Sequence, residues 1–178
     1  MKNLLFIAVA ALTIHTAAAQ YKPDDKASSV QFTIGNLGFD VKGKFTGLQG
    51  SINFDEHQPA NGNIDITIDA ATVNTDNSLR DKHLQEDSYF DVKNYPRIHF
   101  VSAKITPAGK AGSYTMSGKL TIKNTTKDIS FPFTATPGSN GLSFKGTFKI
   151  NRKDFGVGGT STISNELTVA LDVVGVKG

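Results

Sequence analysis

The sequence predicts an all-β chain of about eight antiparallel strands with one short helical insertion, and three observations carry that reading. Hydrophobic residues recur at every second position from Val30 to the end of the chain, the period of a strand with one buried face. Clusters of turn-forming residues interrupt the alternation at short intervals. One stretch, Asn74 to Pro96, abandons the alternation and spaces Leu79, His83 and Leu84 as a helix does.

The segment before the first strand is of a different kind. Lys2 supplies a positive start, Leu4 to Ile14 is apolar apart from Thr13, and Ala17-Ala18-Ala19 offers the small residues that a signal peptidase reads. The apolar run is roughly eleven residues, about half of the ~20 that a membrane-spanning helix needs. A removable leader over residues 1–19 is therefore expected, with cleavage between Ala19 and Gln20 and a periplasmic or secreted destination. Taking 19 residues from 178 leaves 159, one domain of ordinary size over residues 20–178.

The strands follow in order. Val30, Phe32 and Ile34 share one parity, and a second strand is expected around Phe39–Phe45. Ile52 and Phe54 alternate with polar neighbours, and Ile64, Ile66 and Ile68 alternate with Asp65, Thr67 and Asp69. Ile98 and Phe100 flank His99, and Tyr114, Met116, Gly118, Leu120 and Ile122 lie on one face. Ile129, Phe131 and Phe133 form a further set, then Leu142, Phe144, Gly146, Phe148 and Ile150, then Leu167, Val169, Leu171 and Val173. Gly47, Pro59 to Gly62, Pro107 to Gly112, Asn124-Thr125 and Pro137 to Gly141 mark the connections, which are too short for parallel crossovers. In the insertion, Asp76 or Asn77 is placed to cap a short helix, which leads into a loop through Tyr89-Phe90 to Tyr95-Pro96. Patterning alone fits a sandwich or a closed barrel; Gly43, Gly118 and Gly146 suit the bends of a barrel.

Composition narrows the function classes. There is no cysteine, so an exported form has no disulfide framework and relies on packing. The net charge is +3, but Lys and Arg are scattered singly among Asp and Glu, so no basic stripe is available to nucleic acid. No apolar segment after the leader is long enough for a membrane-spanning helix. His57, His83 and His99 lack the spacing of a shared ligand set, and no metal is expected. No serine sits in a Gly-x-Ser-x-Gly elbow, and Gly156-Val157-Gly158-Gly159 lacks the strand-then-helix context of a phosphate loop. No catalytic residue is assigned and no cofactor is expected.

The motifs carry a resemblance. Arg80-Asp81-Lys82-His83-Leu84, Tyr89-Phe90-Asp91-Val92 and Tyr95-Pro96-Arg97-Ile98-His99-Phe100 are similar to the central signature of the YceI-like, polyisoprenoid-binding family. Ser29–Ile34, Gly43-Lys44-Phe45, Gly118–Ile122 and Ile150–Gly156 follow in the family's order, so the resemblance spans nearly all of the mature chain. It implies an extended, lipocalin-like antiparallel barrel, usually exported and often dimeric, with a long isoprenoid, quinone-like or fatty-acyl chain in its interior. The chain lacks the Gly-x-Trp of many lipocalins and contains no tryptophan.

On that reading the barrel wall is expected from Phe32, Ile34, Phe100, Met116, Phe131, Phe133, Phe144 and Phe148, with Met116 adaptable to a flexible tail. Each of these residues equally fits a plain core. At the mouth, Arg80, His83, Arg152 and Lys153 are candidates for a phosphate or quinone oxygen, or they anchor the loops internally. Leu84, Tyr89 and Phe90 form a lid, or staple the insertion to the barrel. The expected function is non-enzymatic binding, storage or transport of a long apolar lipid by a chain that does not span the membrane. The rival is a periplasmic protein-interaction module whose barrel is packed solid by its own phenylalanines. A homodimer is compatible with either, and no delivery partner is indicated.

Overall fold

The structure, a computed structural model, describes residues 20–160 and 162–178. The expected leader and its cleavage site at Ala19 lie outside the described residues. Among the described residues ten strands form one antiparallel sheet: β1 (Gln20–Pro23), β2 (Ser29–Asn36), β3 (Phe39–Phe45), β4 (Gln49–Asn53), β5 (Asn63–Asp69), β6 (Arg97–Pro107), β7 (Ser113–Ile122), β8 (Thr125–Pro137), β9 (Gly141–Asn151) and β10 (Ile163–Lys177).

Closure resolves the sandwich-or-barrel alternative in favour of a barrel. β10 carries β9 along one edge; its other edge is shared by β2, against Ile163–Asp172, and β1, against Gly175–Lys177. β1 and β2 thus act as one interrupted stave. β3 and β4 act as another, because β3 pairs with β2 while β4 pairs with β1 and β5. Eight staves therefore close a ring in which the ten strands take part. By folding onto itself the sheet buries its alternating apolar residues, and closure also removes exposed edges.

Local chemistry sets the irregularities. The β2–β3 hairpin turns on Leu37 and Gly38, both at positive φ (52° and 85°), the handedness that matches the twist of flanking strands. The β8–β9 ladder covers Phe133–Pro137 against Leu142–Gly146 and stops at Pro132, whose ring nitrogen offers no donor. Beyond that point Phe131 and Phe148 stack across the seam, ring centroids 4.5 Å apart. Gly118 does more than permit a bend. It lies opposite Ser102 beside the β6 irregularity, and a Cβ there would come within 2.4 Å of the Val101 carbonyl oxygen and 2.6 Å of the Phe100 ring.

The insertion between β5 and β6 contains helix α1 (Ser78–Leu84). Asn77 is its cap, accepting from the Arg80 N–H, whereas Asp76 makes the left-handed turn before it at φ 58°. Lys44 and Asn74 exchange backbone hydrogen bonds of 2.9 and 3.0 Å, tying the insertion to β3. The opposite end of the barrel is plugged. Phe54, Ile52 and Ile105 are the largest fully buried side chains, and the Phe54 ring meets Tyr114 and Phe144 edge-on at 5.1 and 5.5 Å. Aromatic pairs in such T-shaped contact add about 0.5–1.5 kcal/mol each beyond area burial. Among the described residues no helix is long and apolar enough to cross a membrane.

Candidate functional site

The inward parity of the strands does not fill the barrel. Above the Phe54 plug lies a cavity of about 230 Å³, walled almost wholly by apolar side chains. By the same measure a space for one water needs roughly 10–15 Å³, so this volume is well beyond a packing defect. The phenylalanines line a space and do not close it, unlike the solid barrel of the rival reading.

Each of the eight expected wall residues borders this cavity, though not in one role. Phe32 and Ile34 on β2, Phe100 on β6 and Met116 on β7 form its sides. Phe131 and Phe148 face each other across the β8–β9 seam. Phe133 and Phe144 lie lower and also contact Phe54, so they make the floor. Ile66, Ile98, Leu120 and Ile129 belong to the wall as well, beyond the eight expected. Their strand parity was the available signal. Leu48 and Val157 also border the cavity from non-strand segments, where periodicity carries no information.

The mouth is built by α1, the loop after it, and the connection between β9 and β10. Arg80 and Leu84, four residues apart and so on one helix face, border the cavity. Arg80 donates from Nε to Thr75 Oγ1 at 2.7 Å and from Nη2 to the Thr75 carbonyl at 2.8 Å. Thr75 is buried and donates through N–H (2.8 Å) and hydroxyl (2.6 Å) to Asp81 Oδ1. Arg80 is therefore both an anchor of the insertion and a cation at the cavity edge. Tyr89 and Phe90 also border the cavity, and Phe90 meets Phe45 edge-on at 5.4 Å, stapling the insertion to β3.

Arg152 is buried and borders the cavity, but its guanidinium is engaged by main chain. It donates to the carbonyls of Val157 (2.9 Å), Ser164 (2.9 Å), Ile163 (3.2 Å) and Gly159 (3.4 Å), holding the β9–β10 connection in place. Gly158 donates in turn to the Ser88 carbonyl, so this glycine-rich loop packs on the insertion. His83 is not brought to the cavity; it lies on the outer side of the short helix, its ring edge against Tyr89 and its Nε2 3.8 Å from Glu86. Lys153 is exposed and donates from Nζ to the Gly158 and Gly159 carbonyls.

The histidines remain apart. His57 lies near Glu56 and His99 contacts Asp65 at 2.7 Å on the barrel exterior. Among the described residues no three His, Cys, Asp or Glu groups converge as metal ligands. At the closed end, burial raises the Tyr114 phenol above its ordinary pKa, and the nearby carboxylates Glu56 and Asp55 push it the same way.

Comparison with known proteins agrees with this architecture. A family model described as a YceI-like domain matches residues 21–175. A UPF0312 protein of Yersinia enterocolitica is 30% identical, with 99% of this chain and 97% of the relative aligned. Another from Photorhabdus laumondii is 34% identical over 72% of this chain and 69% of its own. Among solved structures, Burkholderia cenocepacia BcnA superposes with a TM-score of 0.80 at 28% identity, covering 85% of this chain and 98% of its own. A polyisoprenoid binding domain from Saccharophagus degradans shares the fold at a TM-score of 0.72 and 15% identity, over 92% of this chain and 100% of that domain. With the model match running from β1 into β10 and relatives at 30% identity along the same barrel, this chain belongs to the YceI-like family.

Proposed function

We propose that this protein is a non-catalytic carrier or reservoir that shields the tail of a long apolar lipid, of polyisoprenoid, quinone or fatty-acyl type, inside its barrel. The observation that carries the reading is the 230 Å³ cavity with apolar walls, plugged at one end by Phe54 and edged by Arg80 at the other. Taking one five-carbon isoprene unit out of water gains roughly 3–4 kcal/mol gross, at about 0.8 kcal/mol per methylene-sized group. Ordering the chain returns part of that gain, so several units are needed for tight binding, and no hydrogen bond to the tail is required. The polyisoprenoid binding of the Saccharophagus degradans domain supports this cargo class for a barrel of the same fold. Arg80 then supplies charge-assisted hydrogen bonding to a phosphate or quinone oxygen at the mouth. The leader pattern of residues 1–19 supports export to the periplasm.

Organic extraction and mass spectrometry of protein purified without detergent from its native compartment tests the reading. A stoichiometric polyprenyl, quinone or acyl species is the expected result, with a mature N-terminus at Gln20. An empty extract, together with no uptake of a supplied isoprenoid, overturns the carrier and favours a protein-interaction module.

A further inference from the structure

Three large apolar side chains stand out as exposed among the described residues: Leu37 at 71%, Phe39 at 78% and Leu79 at 77%. None of them lies along the middle of a stave. Leu37 and Phe39 form the tip of the β2–β3 hairpin, and Leu79 is on α1, so all three sit on segments that edge the cavity mouth. Phe39 continues the inward parity of Phe45, Gly43 and Val41, and it pairs in register with Asn36. Val41 is the last cavity-wall residue on β3, and Phe39, one inward position further and level with the wall residue Asn36, carries the apolar wall out into solvent at the rim.

We propose that this rim is a membrane-docking surface, with the hairpin tip Leu37-Gly38-Phe39 and Leu79 seating in the apolar layer of a phospholipid bilayer so that the mouth faces the lipid. The proposal rests on the carrier reading for its purpose but not for its evidence. A bilayer is favoured over a protein partner on two grounds. The apolar contact is two side chains of a hairpin tip plus one helical side chain, well short of the ~800 Å² that a stable protein interface buries on each side. A protruding tip also meets a fluid surface without needing a shaped complement. Charge does not drive the contact: Asp40 and Lys42 alternate on the outward face of β3, and Asp76 and Lys82 flank Leu79. Binding should therefore change little with ionic strength, because screening acts on charges and not on apolar insertion.

The absence of tryptophan makes the test direct. In the full mature chain, Phe39→Trp supplies a single indole at the rim, and Ser139→Trp supplies one in the exposed turn at the closed end. With phosphatidylethanolamine–phosphatidylglycerol vesicles, the Phe39→Trp emission should shift to the blue and be quenched by brominated lipid, and the Ser139→Trp emission should do neither. Leu37→Asn with Phe39→Ser, which tolerates the left-handed turn, should lower vesicle flotation at least fivefold while leaving Tm unchanged. It should also slow isoprenoid transfer from vesicles while leaving uptake from cyclodextrin equal to wild type. Equal flotation of variant and wild type, or a wild-type dimer that this variant dissociates in sedimentation velocity, overturns the proposal, the second outcome assigning the rim to a second copy. Wild-type protein that docks on vesicles but takes up no isoprenoid from cyclodextrin leaves the surface standing and removes the carrier reading.

Discussion

Phe32 and Gly43 face each other as register partners on β2 and β3, and the phenylalanine ring occupies the place of the missing side chain. A Cβ on Gly43 would lie 2.2 Å from Phe32 Cζ. The wall of the cavity is thus laid flat over the β3 backbone at this point. Gly43→Ala should push the Phe32 ring into the cavity and destabilise the barrel by about 1–3 kcal/mol, the usual cost of overpacking. Urea unfolding measures it. If Gly43→Ala costs as much on a Phe32→Ala background as on wild type, the ring is not the cause.

Phe54 holds the closed end, and its ring is 1% exposed among Tyr114, Phe133 and Phe144. Phe54→Ala should cost about 3–5 kcal/mol in equilibrium unfolding, the range for removing a buried aromatic side chain. A loss under 1 kcal/mol would show that the plug collapses to fill the space.

Tyr114 gives a pH dependence with a definite sign. Its folded-state pKa is raised, first by burial and then by Glu56 and Asp55. The unfolded chain therefore releases this proton at lower pH than the folded one. The contribution is fully present below the unfolded pKa of about 10 and is lost as pH rises from there through the folded value. Stability measured from pH 8 to 11 should fall across the upper part of that range, and Tyr114→Phe should flatten the fall.

Arg152 organises the β9–β10 connection through four carbonyl oxygens. Arg152→Ala should cost about 3 kcal/mol, since hydrogen bonds to a charged group are lost and their acceptors stay partly buried. Arg152→Lys should recover only part, because an ammonium cannot reproduce the planar fork. Amide hydrogen exchange of residues 157–160 should rise in both variants, and unchanged protection would remove Arg152 from this role.

Phe148 stacks on Phe131 in the cavity wall at an interplanar angle of 23°. Phe148→Asp should reduce uptake of a supplied isoprenoid at least tenfold, about 1.4 kcal/mol, with far-UV circular dichroism retained. Undiminished uptake would place the cargo elsewhere.

Much of the barrel was legible because a strand's side-chain period is two and does not depend on its neighbours. Parity alone selects Phe32, Phe100, Phe131 and Phe148 as inward, and inward they are. The Asn77 cap and the insertion were legible for a similar local reason, an acceptor side chain ahead of helical spacing. The mouth was less so. His83 and Arg80 sit three residues apart on one short helix, yet only Arg80 reaches the cavity edge, because the helix docks through Arg80 and Leu84. The glycines Gly43 and Gly118 read as bends, whereas close approach of Phe32 and Phe100 accounts for them.

Local pattern was thus enough for the strands, their inward faces and the place of the insertion, because periodicity and turn chemistry act over a few residues. Whether the inward faces would meet in a solid core or enclose a space was left to closure of the sheet. That outcome depends on the circumference of eight staves and on where Phe54 sits along the barrel axis, which its ring contacts with Tyr114, Phe133 and Phe144, 60, 79 and 90 positions further along the chain, decide. The exposed rim was equally hidden: Phe39 has the parity of a wall residue, and only the height of the hairpin above the mouth leaves it in water.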